Sequence, residues 1–408
     1  MIRILHSLSA LGMGGIETWL TNLVRQNHLD IHFDFCLEKP GGCYEEELRQ
    51  YGCRMYYLPQ RSRWQKRIDY LHSNVSMKFL KKLLSENQYD VFHCHAMEFS
   101  GREMEVAAKA GVPVRVVQSH NTQLARGKQG FEMIIRKAFF KTMNRKKILK
   151  YATDITACSN DSGRFFMGKY WNTEPKCRPL FCGVPLGDFL ESGERTNSHI
   201  TREQYGIPND AIVVGHVGSM GHQKNPFFIL DVFQNLFHKN DRYWLCMVGD
   251  GPLRDQLWQS AKKLGVASRV VMPGICHVPL VMPHVFDVLF FPSLYEGMPL
   301  VIVEATASGL YTVCSDTITR DVTDCFPDRI RTLSLQASIS QWSDAVETAI
   351  AKRVSIEQGC QIVEKSPFSI STSLHSLICL YQNRFYPNDK NSHIPDHSSV
   401  IGDKNSQQ

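Results

Sequence analysis

Although thirteen cysteines are present, no two of them are spaced Cys-x-x-Cys. That spacing is the common mark of a zinc or dithiol site, so neither is expected. Cys36, Cys158, Cys246 and Cys314 fall in apolar runs, where a thiol behaves as a small hydrophobe, and the cysteines are expected to be reduced and structural. No Asp-x-Asp pair offers two carboxylates to a divalent ion, and no metal is expected. Nowhere do about 18 apolar residues run uninterrupted, as a membrane span requires. The most apolar region, Val270 to Leu294, is broken by Pro273, Pro279, Pro283 and Pro292. The start, Met1-Ile2-Arg3-Ile4-Leu5, lacks the long apolar stretch of a signal peptide, so a cytoplasmic protein is expected. The net charge of +6 is modest, which makes its placement matter more than its sum, and nucleic acid is not expected as a partner.

What is present is an ordinary globular composition, 43% hydrophobic and 21% charged, over 408 residues. That length exceeds what one core usually serves, and two α/β domains are expected. The stretch from Val288 to Gly309 organises the reading. An apolar run to Phe291 stops at Pro292, a polar loop follows, and Pro299 opens an apolar segment that ends at Gly309. Pro near the start and Gly just past the end mark a helix entered from a strand. Backbone N–H groups of Gly297, Met298 and Leu300 are expected at the helix N-terminus, where the macrodipole favours an anion such as phosphate. Glu296 and Glu304 flank that start, and a carboxylate accepts paired hydrogen bonds from a diol. A ligand carrying both phosphate and hydroxyls, such as a sugar nucleotide, suits the combination.

With Glu-x7-Glu across this helix start, the chain resembles the retaining glycosyltransferases of family 4, over roughly residues 1 to 385 and most strongly from Val213 to Asp316. Within the family it looks most like the capsular and exopolysaccharide branch. The resemblance implies the GT-B arrangement, two Rossmann-like doubly wound domains facing across a cleft: an acceptor-side domain over residues 1–185 and a nucleotide-sugar domain over 186–385. The last helix would cross back to the first domain, and residues 386–408 read as a disordered polar tail. By the same resemblance Glu296 contacts the donor sugar and Glu304 holds the nucleotide ribose.

In the first half, Ile2 to Leu8 reads as a strand and Trp19 to Gln26 as a helix, with Gly12-Met13-Gly14-Gly15 between them. Glu17 stands where a dinucleotide fingerprint needs its third glycine, but bare backbone at Gly14 and Gly15 can still approach a phosphate. Strands near 32–37, 54–58, 91–95 and 114–118 continue a mostly parallel sheet, whose ligands bind beyond the carboxyl ends of the strands. His93 and His95 lie on one side of their strand, a pairing that could suit a metal if a third ligand stood at a recognisable spacing. His120, in Ser119-His120-Asn121, resembles the family's histidine near the reacting sugar. From Arg126 to Lys150 nine Lys or Arg residues face a single acid, Glu132. Arg136, Lys137, Lys141 and Arg145 follow a helical period opposite an apolar face, the pattern of a helix lying on anionic lipid.

In the second half, the polar stretch Glu191 to Asn209 reads as the linker, and Ala211 to Gly218 as the next strand. The following loop carries Ser219, His222 and Lys224 before a helix expected over Phe227 to Phe237. The family usually places Arg and Lys here to neutralise a leaving diphosphate; Lys224 matches, and Ser219 stands in place of the Arg. Cys182 likewise replaces a usual Asn. Gly249 and Gly251 match the family's Gly-x-Gly-Pro-Leu, and Ile275 would lie against the nucleotide base.

These residues together lead to a retaining, metal-independent hexosyltransferase-type enzyme. It would move a sugar from a nucleotide diphosphate, UDP by preference, to a carbohydrate or lipid-linked acceptor in surface polysaccharide synthesis, at the inner face of the membrane. Two other readings are a sugar-nucleotide epimerase on the same architecture and a non-catalytic partner subunit.

Overall fold

The computed structural model describes residues 1–27, 30–59, 74–95, 100–122, 140–194 and 202–382. The described chain forms two compact units. One runs from Met1 to Cys182 and regains the chain at Ile370; the other begins at Gly183 and ends at Ser369.

In the first unit the strands are β1 (Ile2–Leu8), β2 (Ile31–Leu37), β3 (Met55–Tyr57), β4 (Val91–Cys94), β5 (Val114–Ser119), β6 (Asp154–Ala157) and β7 (Cys177–Pro179). They pair in parallel in the order β3-β2-β1-β4-β5-β6-β7. Strands such as β1 and β4 are buried along nearly their whole length, as a sheet covered on both faces requires. The order reverses between β1 and β4, the place where open α/β sheets bind ligands. Helices α1 (Gly15–Arg25), α2 (Glu45–Gln50), α3 (Asn74–Asn87), α4 (Ser100–Lys109), α5 (Arg145–Tyr151) and α6 (Asn160–Met167) belong to this unit.

The second unit repeats the plan with β8 (Ile212–Val217), β9 (Tyr243–Val248), β10 (Val270–Gly274), β11 (Val288–Phe291), β12 (Tyr311–Ser315) and β13 (Ile330–Leu333), ordered β10-β9-β8-β11-β12-β13. Here the order reverses between β8 and β11. Its helices are α7 (Gly187–Glu194), α8 (Pro226–Lys239), α9 (Arg254–Lys263), α10 (Val278–Val285), α11 (Leu300–Ala307), α12 (Arg320–Thr323), α13 (Ile339–Ile350) and α14 (Ile356–Glu364). Trp342 of α13 is fully buried and meets Phe290 and Phe228 edge-on at 5.5 and 5.6 Å, which anchors helices to the sheet. Ser338 and Gln341, and Ser355 and Gln358, form reciprocal capping boxes that fix where α13 and α14 begin.

Several boundaries differ from the sequence reading. The chain leaves the first unit before the polar stretch, and α7, whose last residues Glu191 to Glu194 open the expected linker, packs on α10 and α14 of the second unit. Helix α1 starts at Gly15, four residues before Trp19, because Ile16, Trp19, Leu20 and Leu23 together make the apolar face. Helix α15 (Ile370–Gln382) packs with the first unit: Trp19 Nε1 donates to Ser373 Oγ at 2.9 Å, and Ser373 Oγ donates to the Phe181 carbonyl at 2.7 Å. The tail from 386 lies outside the described residues. All thirteen cysteines are free thiols. Burial pushes several of them up, Cys53 and Cys314 to about 12, so they are poor nucleophiles.

Candidate active site

At the reversal point of the second sheet, the loops after β8 and β11 meet. Lys224 Nζ lies 2.6 Å from Glu296 Oε1, and Gln223 Nε2 donates to Glu296 Oε2 at 3.1 Å and to the Tyr295 carbonyl at 3.0 Å. The backbone closes the same junction, Leu294 N donating to the Gln223 carbonyl at 2.8 Å. Lys224 also stands 4.6 Å from the ring centre of Phe291, the last residue of β11. The Lys224 and Glu296 side chains are 15% and 8% exposed, so the pair is largely shielded from water. Gln223 was not singled out from sequence, since an uncharged residue beside Lys224 gives no signal of its own.

Helix α11 follows directly. The helix starts at Leu300, one residue later than expected, with Pro299 as its N-cap, so Gly297 and Met298 precede the helix and the N–H groups of Leu300 and Val301 stand at its first turn. The helix ends as the sequence indicated. Gly309 adopts φ +75°, Leu310 N bonds back to the Ala305 carbonyl, and a Cβ on Gly309 would come within 2.3 Å of the Val354 carbonyl. Glu304 lies on α11, partly buried, and its carboxylate has no hydrogen-bond partner among the described residues. Burial pushes its pKa up to about 7. An acceptor held in a dry place without a donor is suited to a ligand that brings hydroxyls.

Two glycine loops lie beside this junction. Gly249 has φ +126°, donates its N–H to the Gly274 carbonyl at 2.7 Å, and would place a Cβ only 2.1 Å from the Gly218 carbonyl. A Cβ on Gly251 would come within 2.7 Å of the Met220 carbonyl. The loops after β8 and β9 therefore touch backbone to backbone. Ser219 and His222 are exposed, and Ile275, next to Gly274, is 59% exposed.

In the first unit, Gly14 is the N-cap of α1, and its carbonyl accepts from Thr18 N at 3.0 Å. Gly14 and Gly15 thus lie at the positive end of an eleven-residue helix. His93 and His95 share a face of β4 and its extension, stacked with ring centres 4.3 Å apart. A third histidine joins them from β1: His6 is paired in register with His93, and the three offer ring nitrogens within 4.8 Å of one another. Spacing could not show it, because it lies on another strand. Hydrogen bonds already engage this group: His6 Nδ1 with His95 Nε2 at 3.0 Å, His95 Nδ1 with His120 Nε2 at 2.9 Å, and His93 Nδ1 with the Tyr381 hydroxyl at 2.7 Å. Both nitrogens of His95 are engaged, so a divalent ion bound by it would break one of its two hydrogen bonds, and among the described residues no carboxylate or thiolate joins the group to offset a buried double charge. Burial lowers the pKa of His120 to about 3, so its imidazole is neutral at physiological pH.

The basic stretch departs from a simple lipid-facing stripe. Arg136 and Lys137 lie outside the described residues, as does the side chain of Lys141. Arg145 turns inward: its Nε and Nη2 donate to the Phe166 and Phe165 carbonyls of α6 at 2.6 and 2.9 Å, and burial lowers its pKa. The end of α6 needs those donors, so Arg145 is removed from the set available to a surface. Lys147 pairs with Glu105, whereas Lys146 and Lys150 are exposed. Among the described residues no helix is long and apolar enough to cross a membrane.

Comparison with known proteins agrees with this geometry. Residues 13–187 match the family model "Glycosyltransferase Family 4", and residues 197–350 match "Glycosyl transferases group 1". The chain is 33% identical to the Bacillus subtilis glycosyltransferase EpsF, over 86% of this chain and 88% of that one. It is 26% identical to an Escherichia coli UDP-Gal:alpha-D-GlcNAc-diphosphoundecaprenol alpha-1,3-galactosyltransferase, over 64% of this chain and 66% of that one. Among solved structures, Anabaena Alr3699/HepE in complex with UDP-glucose has the same fold, with a TM-score of 0.70 at 16% identity over 93% of this chain and 98% of that one. Two Rossmann-like parallel-sheet units and an EpsF-like sequence along most of its length make this chain a GT-B glycosyltransferase and a member of family 4.

Proposed function

We propose that the enzyme takes its sugar from a UDP-linked donor, retains the anomeric configuration, needs no metal, and acts on a carbohydrate or lipid-linked acceptor in surface polysaccharide synthesis. The observation that carries this reading is Glu304, a carboxylate with no hydrogen-bond partner among the described residues, on the helix that begins beside the Lys224–Glu296 pair. The ribose of a nucleotide offers two adjacent hydroxyls to such a group. Lys224 then exchanges Glu296 for the diphosphate, while Glu296 accepts from a hydroxyl of the sugar. As the bond from the anomeric carbon to the diphosphate oxygen breaks, an acceptor hydroxyl bonds to that carbon on the same face and passes its proton to the departing diphosphate, on which negative charge grows. Lys224 and the N-terminus of α11 oppose that charge. Ser219 supplies no cation, so Lys224 carries more of the task than in relatives with Arg there. Neutral His120 offers a hydrogen bond to the sugar rather than a charge. The family assignment favours transfer over the epimerase and partner-subunit readings. The direct test incubates the protein with UDP-glucose, UDP-galactose or UDP-N-acetylglucosamine and measures UDP release with and without undecaprenyl-diphosphate-linked sugar. Release that needs the acceptor is expected from at least one donor; epimerised donor without release would favour the rival.

Glu304 also gives a pH dependence. A diol donates paired, charge-assisted hydrogen bonds to the carboxylate and only a weaker one to the acid, so affinity is greatest above the free-enzyme pKa of about 7 and falls as pH drops through it. Between pH 8 and pH 6 the Kd for a UDP-sugar should rise about tenfold. The diphosphate of such a donor is a diester that keeps its charge over this range. Calorimetry should find the dependence flattened in Glu304→Gln, and an equally steep profile in that variant would place the titrating group elsewhere.

The membrane belongs to the same reading. The exposed bases Lys146 and Lys150, with the run of positive charge before them, support contact with anionic lipid. Each basic residue near such a surface contributes about 1 kcal/mol. Lys137→Glu, Lys141→Glu and Lys146→Glu combined should release the protein from vesicles containing one-third phosphatidylglycerol, as added salt should. Arg145 is left intact because of its place beside α6. Unchanged sedimentation of the triple variant, or no binding by the wild type, favours a soluble acceptor.

A further inference from the structure

His6, His95 and His120 form one connected line from the middle of the first sheet to the end of β5. All three are buried, at 0%, 7% and 9% exposure. Burial, joined at His95 by its neighbouring histidines, keeps each pKa low, so each ring is neutral and carries one proton. A neutral imidazole donates from one nitrogen and accepts at the other. The two hydrogen bonds must therefore point the same way, both toward His120 or both away from it. If they point away, the proton of His6 sits on Nε2, a buried atom with no partner among the described residues. If they point toward His120, that atom keeps only a lone pair. Orphaned buried N–H groups are the rarer of the two cases, so the line runs outward.

The walls hold the rings in this state. His93 stacks on His95 and is itself held by the Tyr381 hydroxyl. Trp19, tied to Ser373, has its ring centre 6.4 Å from that of His95 and 6.3 Å from that of His120. Neither ring can turn freely to exchange its nitrogens.

We propose that His95, backed by His6, is a positioning residue for His120: it donates to Nε2 and so holds the His120 proton on Nδ1, making that nitrogen a hydrogen-bond donor to an oxygen of the bound sugar. This rests on the reading of His120 as a residue that faces substrate. A ring free to change tautomer would present a donor only part of the time, whereas a fixed one is ready before the sugar arrives.

The test is nitrogen-15 NMR of histidine-labelled full-length protein, with His120 assigned by its loss in His120→Ala. The wild type is expected to show His120 protonated on Nδ1. His95→Leu should lose that preference, and loss of the one hydrogen bond should lower kcat for UDP release from the active UDP-sugar about tenfold, with KM little altered. His95→Asn should restore both, because its amide nitrogen occupies the place of the imidazole Nδ1 and still donates. Should the leucine variant not fold, the wild-type tautomer and the asparagine variant decide the matter. A wild-type His120 protonated on Nε2, or an unchanged Nδ1 preference without His95, overturns the proposal. Full turnover in His120→Ala overturns instead the substrate-facing role, and His95 then positions nothing of use.

Discussion

Lys224→Ala is expected to lower turnover by about two to three orders of magnitude, the usual cost of deleting one group that opposes charge in a transition state. No second cation stands ready in the same loop, since Ser219 occupies the other position and His222 is exposed to water. The same substitution should cost about 3 kcal/mol of stability, because it takes the cation away from a carboxylate that is largely shielded from water, and the Gln223 amide that also donates to Glu296 carries no charge. The two effects separate in a double variant. Lys224→Ala with Glu296→Gln should regain most of the stability in chemical denaturation, since the Glu296 charge is removed too, while UDP release stays at least as low as in the single variant. If the single variant is as stable as wild type, the pair is solvated and its role in organising the junction is wrong.

Gly249→Ala should be the most damaging small substitution near the site. The new methyl group meets two obstacles: φ of +126° and a carbonyl oxygen at 2.1 Å. Backbone strain and overpacking of this kind together cost about 3–5 kcal/mol. Because the contact joins the loops after β8 and β9, donor affinity should fall along with the thermal midpoint. Gly251→Ala, whose Cβ would stand 2.7 Å from the Met220 carbonyl without a positive φ, should lose less of both. Equal midpoints for Gly249→Ala and wild type would show that the loops part without cost.

The contrast between these two sites and the histidine line shows what a sequence can disclose here. Pro292, Pro299 and Gly309 delimit a strand, a loop and a helix by local chemistry, so the placement of Glu296 and Glu304 could be read directly. Lys224 was legible from its loop motif, but its pairing with Glu296 depends on β8 and β11 lying side by side. His6 is harder. The period of a strand puts His93 and His95 on one face, yet nothing local states that β1 will pair with β4 so that His6 stands opposite His93. Arg145 fails for a related reason: helical spacing gives its angle around α5, and only tertiary packing brings the carbonyls of Phe165 and Phe166 to it. The start of α1 was missed because glycines resemble loop, although the apolar face from Ile16 outweighs their low propensity. The start of the polar stretch read as a linker, Glu191 to Glu194, continues α7, because Phe189 and Ser192 are buried where that helix packs on α10 and α14.

The most direct measurement of the central claim is calorimetric titration of UDP into the wild type and Glu304→Ala at pH 8, without divalent ions. The account predicts saturable one-to-one binding by the wild type. Affinity should be lower by roughly tenfold or more in the variant, in keeping with two lost hydrogen bonds to a charged acceptor. No binding by a folded wild type, or the same affinity in both proteins, would contradict the assignment of this helix to a nucleotide.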